Sequence, residues 1–275
     1  MSLLFRVLGS GSGGNVTLVE GGGARVLLDA GLGSRQIAER LRSAGVDPAS
    51  LDAVFVSHEH GDHARGALGL SARWGVPLAL ARATFRAAGL DGAKLPAWEA
   101  IGPGETRTIR KLTVRAVAVP HDAACPLAFV VSAGGVSFGH ATDLGRLGRG
   151  LVDAFRGCDA VLVESNYDPA MLRDGPYPWS LKERILGPLG HLSNGDVGRL
   201  LEKGLGEACR MVVLAHLSKK NNHPELALQA AEEALERAGR RDVELTLAAP
   251  EGTAWIPVRG PRATAGRGHG QLRLF

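Results

Sequence analysis

Ser57-His58-Glu59-His60-Gly61-Asp62-His63-Ala64-Arg65-Gly66 follows directly on the apolar run Ala53-Val54-Phe55-Val56. The run reads as a buried strand and the polar segment as the turn at its end. His58, His60, Asp62 and His63 place four potential metal ligands within six residues. A turn at a strand end points several side chains the same way, so they can converge on a cation. Only nine histidines are present. With His121 joined to the group, four of them find one explanation that scattered surface histidines would not provide.

Outward from this stretch, strand and helix signals alternate along the chain. Strands are read at Leu4–Leu8, Val16–Val19, Val26–Asp29, Ala53–Ser57, Leu78–Ala81, Leu112–Val119, Ala128–Ser132 and Val136–Phe138. Others are read at Ala160–Val163, Met211–Ala215 and Val243–Leu247. Helical spacing appears at Ser34–Ser43, Leu144–Phe155, Asp196–Leu205 and, most clearly, Pro224–Ala238, where Asn222 or His223 can cap and Pro224 fits the first turn. This order predicts an α/β chain of two sheets packed face to face with helices outside. The 275 residues are 45% hydrophobic, enough for one sizeable core, which excludes disorder throughout. A single domain is expected over 1–258, since no linker divides it, and 38 glycines fall largely in turns.

Charge divides the chain differently. Lys and Arg total 32 against 28 acids, and residues 259–275 hold Arg259, Arg262, Arg267 and Arg273 with no acid. The excess of four therefore lies wholly in a Gly- and Arg-rich tail, read as flexible, and the body is neutral. That balance excludes a body wrapped in positive field and leaves local patches as the route to any polyanion. No run of about 18 apolar residues marks a membrane span, so no membrane partner is expected. The start, Met1-Ser2-Leu3-Leu4-Phe5-Arg6, reads as a first strand and not as a secretion signal. Cys125, Cys158 and Cys209 are odd in number and form no CxxC, which fits buried thiols in a reducing cytoplasm.

The string His58, His60, Asp62, His63, Gly66 resembles the HxHxDHxxG motif of the metallo-β-lactamase fold hydrolases. Further motifs follow in family order: Asp29 in Leu27-Leu28-Asp29-Ala30-Gly31, His121 after Val119-Pro120, Asp143 in Ala141-Thr142-Asp143, and His216 in Leu214-Ala215-His216. The resemblance implies an αββα four-layer sandwich with the site at one edge of the sheets. It implies two divalent cations, zinc or manganese: His58, His60 and His121 would hold one, and Asp62, His63 and His216 the other. Asp143 would bridge them, Asp29 would support the histidine loop, and Asp62 would also serve catalysis. Five imidazoles and two carboxylates leave two such cations with surplus positive charge, which can bind and acidify water. Neither Cys125 nor Cys158 stands where the true β-lactamases of this fold place a ligand cysteine, so antibiotic hydrolysis is not expected.

Between the last two motifs, Val163-Glu164-Ser165-Asn166-Tyr167-Asp168 and Gly190-His191-Leu192-Ser193-Asn194 resemble the phosphodiesterase branch that includes RNase Z. In that likeness Glu164 orients and charges His191, which contacts the phosphate and assists the leaving oxygen, as a carboxylate-held imidazole suits. The alternative is an unrelated Glu and a core His. A closer resemblance is to the YycJ/WalJ-type group, through Ser10-Gly11-Ser12-Gly13-Gly14-Asn15, Tyr177-Pro178, Leu181-Lys182, Arg184-Ile185 and Ala215-His216-Leu217-Ser218-Lys219-Lys220-Asn221-Asn222. This group implies a cytoplasmic bacterial 5′ to 3′ DNA exonuclease linked to replication or mismatch repair. On their own terms, Ser10, Ser12 and Asn15 lie in a glycine-rich loop that is either a phosphate nest or a plain turn. Lys182, Arg184, Ser218, Lys219, Lys220 and Asn222 flank the motifs, and about half of such neighbours would touch substrate; Lys182, Ser218, Lys219 and Asn222 are the chosen contacts. One of Tyr177 and Trp179, both near His191 in sequence, is read as lining the substrate cleft.

Twenty-one residues separate His121 from Asp143, and 72 separate Asp143 from His216, which leaves no room for the long arm of RNase Z or the extra domain of RNase J. A compact body needs help finding substrate. Gln271, Leu272, Leu274 and Phe275 in the terminal Gln271-Leu272-Arg273-Leu274-Phe275 resemble the QLxLF peptide that docks on the bacterial sliding clamp. Leu and Phe fill an apolar pocket there and Gln adds directional hydrogen bonds. The competing reading is a final strand packed on the body. The expectation is therefore a two-metal nuclease on DNA, with RNA left open, recruited by the clamp. Its alternatives are a same-fold hydrolase of a small phosphodiester or thioester and a metal-bound interaction protein without catalysis.

Overall fold

Side-chain alternation builds three apolar layers. The computed structural model describes residues 2–260. One sheet runs β14 (Ile256–Val258), β1 (Leu3–Gly9), β2 (Val16–Gly21), β3 (Ala24–Leu28), β4 (Ala53–Phe55), β5 (Leu78–Leu80) and β6 (Trp98–Ala100). The other runs β13 (Glu244–Leu247), β12 (Met211–Ala215), β11 (Ala160–Glu164), β10 (Val136–Ala141), β9 (Leu127–Ala133), β8 (Leu112–Ala118) and β7 (Thr106–Ile109). In the strands of both sheets, alternate residues turn to opposite faces. Phe5, Phe55, Phe129, Phe138, Leu162 and Val213 face inward and form the layer between the sheets.

Leu27, Val54, Leu78 and Leu80 face outward from the first sheet onto α1 (Ser34–Ser43), α3 (Ala67–Trp74) and α4 (Arg82–Ala87). Val130, Val161, Val163, Val212 and Leu214 do the same beneath α5 (Arg149–Arg156), α8 (Asn194–Lys203) and α9 (Pro224–Arg237). Both faces of both sheets are covered, which is why the central strands read as continuous apolar runs. The result is the expected αββα sandwich. Phe138 is fully buried and stacks on Phe5 with ring centroids 4.1 Å apart. Phe138→Ala is therefore expected to destabilise the protein by about 3–5 kcal/mol, read as a lowered midpoint in urea unfolding.

Sequence-read elements recur with shifted ends. His223 caps α9, its side chain accepting from Glu225 N, and Pro224 takes the first turn. Ser193 and Asp196 form a capping box that starts α8 at Asn194. The helix read at Leu144–Phe155 begins only at Arg149. Leu144 N donates to Glu164 Oε1 and Gly145 N to Pro120 O, so both residues are held in a turn at the site. Short elements escaped the reading: β6, β7, β14, α2 (Gly61–Ala64), α3, α4, α6 (Pro169–Asp174) and α7 (Trp179–Leu186).

No described helix is long and apolar enough to cross a membrane. The tail assigned to clamp docking lies outside the described residues beyond Gly260. Strands β3 to β6 are mutually parallel, as are β10 to β13. The carboxyl ends of such strands are where open α/β sheets gather ligands, and the candidate residues cluster there.

Candidate metal centre

Strand ends deliver the polar side chains. Asp29 follows β3, Ser57 and His58 lie just beyond β4, Asp143 beyond β10, Glu164 ends β11, and His216 follows β12. Asp29, Asp143 and His216 adopt left-handed backbone at φ 62°, 59° and 52°, three of the four described non-glycine residues with positive φ. Such backbone costs about 1–3 kcal/mol per residue and persists where surrounding structure enforces it. The left-handed step turns the chain off the strand and sets the side chain among the other donors. Glycines make the close approaches: a Cβ on Gly31 would lie 1.7 Å from Asp62 O, and one on Gly145 would lie 2.3 Å from Pro188 O.

Outer hydrogen bonds fix the ring orientations. Asp29 is fully buried; its Oδ1 accepts from Ser57 N at 2.7 Å, and its Oδ2 pairs with His63 Nδ1 at 2.8 Å. Burial alone would raise the Asp29 carboxyl, but the His63 imidazole more than offsets that and leaves it below the ordinary range. Ser57 Oγ donates to Asp29 Oδ2 and lies 3.0 Å from His58 Nδ1. His121 Nδ1 lies 3.0 Å from the acceptor Gly190 O. The Nδ1 atoms of His58, His63 and His121 are thus engaged outside the centre, as for metal-binding imidazoles whose second nitrogen faces the cation.

Inside, the Nε2 and carboxylate atoms meet. Ligand atoms of His58, His60 and His121 lie within 4.8 Å of one another, as do those of His58, His63 and Asp143. Asp143 Oδ2 is 3.3 Å from His58 Nε2 and 2.5 Å from His63 Nε2, while its Oδ1 is 2.7 Å from His216 Nδ1. Asp62 Oδ2 lies 3.7 Å from Nε2 of both His63 and His216. All seven sequence-selected ligands are therefore brought together, with Asp143 central. His58 Nε2, Asp143 Oδ1 and His216 Nδ1 are buried, and even at these separations none of them meets a partner at a hydrogen-bonding angle. Orphaned buried polar atoms are rare and costly. Imidazole and carboxylate atoms turned on one another in this way fit divalent cations as the missing partners.

Glu164 and His191 stand beside this set. His191 Nδ1 lies 3.0 Å from Glu164 Oε2 and 3.3 Å from Asp143 Oδ1. Glu164 also accepts from Asp143 N, Leu144 N and Leu192 N, which locks its carboxylate in place. Burial lowers the His191 pKa, but Glu164 and Asp143 outweigh burial and hold it well above the usual imidazole range. A protonated imidazole in this place can hold an anion or give up a proton.

The donors open into a cleft of about 290 Å³, whose lining includes Ser12, Asn166, Tyr177, Arg184, His191 and Ser218. Of the residues selected as contacts, Ser12 and Ser218 line this cleft. Other selected contacts serve the frame instead. Ser10 Oγ accepts from His216 N, and Asn15 Oδ1 accepts from Gly11 N while its Nδ2 donates to Asp62 O. Asn222 Nδ2 donates to Ser165 O. Lys182 is buried, its Nζ donating to Arg173 O at 2.6 Å, so it does not face the cleft. Lys219 is exposed and outside the lining. Arg184, flanking but not selected, takes the place expected of Lys182. Tyr177 lines the cleft and Trp179 does not. Asp122 was also missed: its Oδ1 lies 3.2 Å from His121 Nε2, and adjacency to His121 in sequence is its one signal.

Comparison with known proteins adds an independent line. A β-lactamase superfamily domain model matches residues 24–241. Exodeoxyribonuclease WalJ of Streptococcus pneumoniae serotype 2 (strain D39) is 34% identical over 230 residues, covering 81% of this chain and 84% of WalJ. Exodeoxyribonuclease YycJ of Bacillus anthracis is 32% identical over 241 residues, covering 87% of this chain and 91% of YycJ. The crystal structure of the metallo-β-lactamase fold protein YhfI from Bacillus subtilis superposes with a TM-score of 0.70 at 18% identity, covering 91% of this chain and 98% of YhfI.

Proposed function

The chain belongs to the metallo-β-lactamase superfamily, within its YycJ/WalJ-type group, and on that premise we propose that it is a metal-dependent phosphodiesterase that trims DNA from a 5′ end. The observation that carries the reading is the Glu164–His191 pair set against the orphaned His58, Asp143 and His216 atoms in one cleft. His58, His60 and His121 would hold one divalent cation and Asp62, His63 and His216 the second, with Asp143 between. Zinc or manganese bound there would supply Lewis acidity, polarising a phosphate and making water acidic enough to attack at neutral pH.

The chain's own groups do the rest. Asp29, Ser57 and Gly190 O keep the imidazoles aimed inward. Asp62, which lines the cleft, would accept a proton from the attacking water. Glu164 anchors His191 through Nδ1, which leaves Nε2 to bind phosphate and protonate the leaving sugar oxygen as its bond to phosphorus breaks. Ser12 and Ser218 offer hydroxyls to neighbouring phosphate oxygens.

The direct test is digestion of 5′-labelled single-stranded and duplex DNA beside labelled RNA, with manganese or zinc supplied. Stepwise shortening of DNA that chelation stops is the expected result. Intact DNA with metal present would overturn the reading.

Recruitment belongs to the same proposal. Gln271, Leu272, Leu274 and Phe275 would dock on the sliding clamp, giving a neutral body access to DNA at replication or repair sites in the cytoplasm. Deleting residues 271–275 is expected to leave cleavage of short oligonucleotides unchanged and to abolish clamp binding in a pull-down. Equal clamp binding by both forms would refute the docking role.

A further inference from the structure

Between β11 and α8 the chain leaves the sandwich, and the segment carrying α6 and α7 packs through its own small cluster. Tyr167, Leu172 and Ile185 form it, with Tyr177 and Leu181 at its margin. Lys182 Nζ ties α7 to Arg173 O of α6, so the two short helices are joined by more than this cluster. One side of this cap faces the metal centre: Tyr177, Leu181, Arg184 and Ile185 line the cleft beside His60, Asp62 and His191.

Arg184 is the charged member of that wall. Its Nε donates to Asp122 Oδ2 at 2.6 Å, and its side chain is 54% exposed. Among the described residues its Nη groups have no hydrogen-bond acceptor. Asp122 in turn sets its other carboxylate oxygen 3.2 Å from His121 Nε2, which fixes the guanidinium close to the metal donors. A guanidinium anchored by Nε presents its remaining N–H groups as a fork suited to phosphate. Tyr177, which lines the same cleft and packs against the cluster of Tyr167, Leu172 and Ile185, brings an aromatic ring of the kind on which bases stack.

Resting on the nuclease reading above, we propose that α7 and the turn before it read the nucleotide at the scissile bond. Arg184 grips the adjoining phosphate with its free Nη groups, and Tyr177 stacks on the base next to the scissile phosphate. The wall recognises a base attached to a phosphate, whereas the metal centre recognises the phosphate alone.

The test uses the full chain and two readouts. In chelator, fluorescence anisotropy follows binding of a labelled single-stranded oligonucleotide across a salt series. Arg184→Ala is expected to reduce the slope of log Kd against log salt by about 0.7, the value for one phosphate contact on a single strand. Arg184→Lys keeps that slope while weakening binding, because the point charge stays and the anchored fork is lost. With metal, wild type is expected to cleave an oligonucleotide abasic beside the scissile phosphate about ten- to a hundredfold more slowly than the intact one. Tyr177→Phe keeps that discrimination, and Tyr177→Ala cleaves the two substrates within about threefold of each other. Matching far-UV spectra and unfolding midpoints establish that the variants fold.

An unchanged salt slope in Arg184→Ala together with persistent discrimination in Tyr177→Ala would overturn this proposal and leave the nuclease reading standing. Failure of wild type to bind and cleave DNA would overturn both.

Discussion

Asp143→Ala is expected to lower metal-dependent DNA cleavage by on the order of 10³-fold or more, because one carboxylate serves both halves of the centre. Its Oδ2 faces His58 and His63, and its Oδ1 faces His216 and His191. Removing it takes away the carboxylate that faces both His58 Nε2 and His216 Nδ1, and would deprive the proposed pair of cations of a shared anionic ligand. Asp143→Asn keeps the volume and most of the fold but removes the negative charge and one of the two acceptor oxygens, so its loss is expected to be similar in activity and smaller in stability. The check is initial rates on a 5′-labelled oligonucleotide alongside thermal unfolding. Wild-type rates in both variants would remove Asp143 from the reaction.

His191→Ala follows in size, with an expected fall in kcat of about 10²–10⁴-fold, the span typical of a lost proton donor. The His60 side of the centre is left intact, so metal content is expected to stay at the wild-type level. Glu164→Gln acts through His191. Burial pulls the His191 pKa down, and Glu164 and Asp143 push it up beyond that. Neutralising Glu164 removes part of the upward push, so the proton is lost at lower pH and the alkaline limb of the rate profile moves to lower pH. A purely structural role for Glu164 would lower rates equally at every pH. The pH profile of kcat separates the two.

The centre was legible because its ligands are concentrated. His58 through His63 lie in one turn; His121 and His216 follow strands that the residues reveal, whereas Asp29 reads as the last residue of its strand and the strand before Asp143 reads only to Phe138 instead of Ala141. Asp29-Ala30-Gly31 and Asp143-Leu144-Gly145 repeat an Asp-X-Gly step at the ends of β3 and β10. The structure gives its reason: the Asp is left-handed, and the Gly permits contact with Asp62 O in one case and Pro188 O in the other. Backbone strain of that kind carries no composition signal beyond the glycine.

The cleft wall was less legible, for a geometric reason. Lys182 and Arg184 are two residues apart on α7, about 200° around the helix, so they point to nearly opposite sides. Sequence gives no means of choosing which side meets the cleft: Arg184 lines it, and the Lys182 ammonium is spent on Arg173 O. Ser10, Asn15 and Asn222 show a related limit. Polar residues near a ligand motif are as useful in holding the loops as in touching substrate, and here they hold the loops. The missed strands β6 and β14 are three residues long at sheet edges, too short for period-two alternation to register.

The orphaned imidazole and carboxylate atoms are proposed to hold two cations. Elemental analysis of the purified full chain, paired with its unfolding midpoint before and after chelation, tests this most directly. Two equivalents of zinc or manganese per chain and a clearly lower midpoint once they are removed are the expected results. A chain that carries no divalent metal after incubation with either ion, and unfolds at the same temperature with chelator as without, would contradict the account.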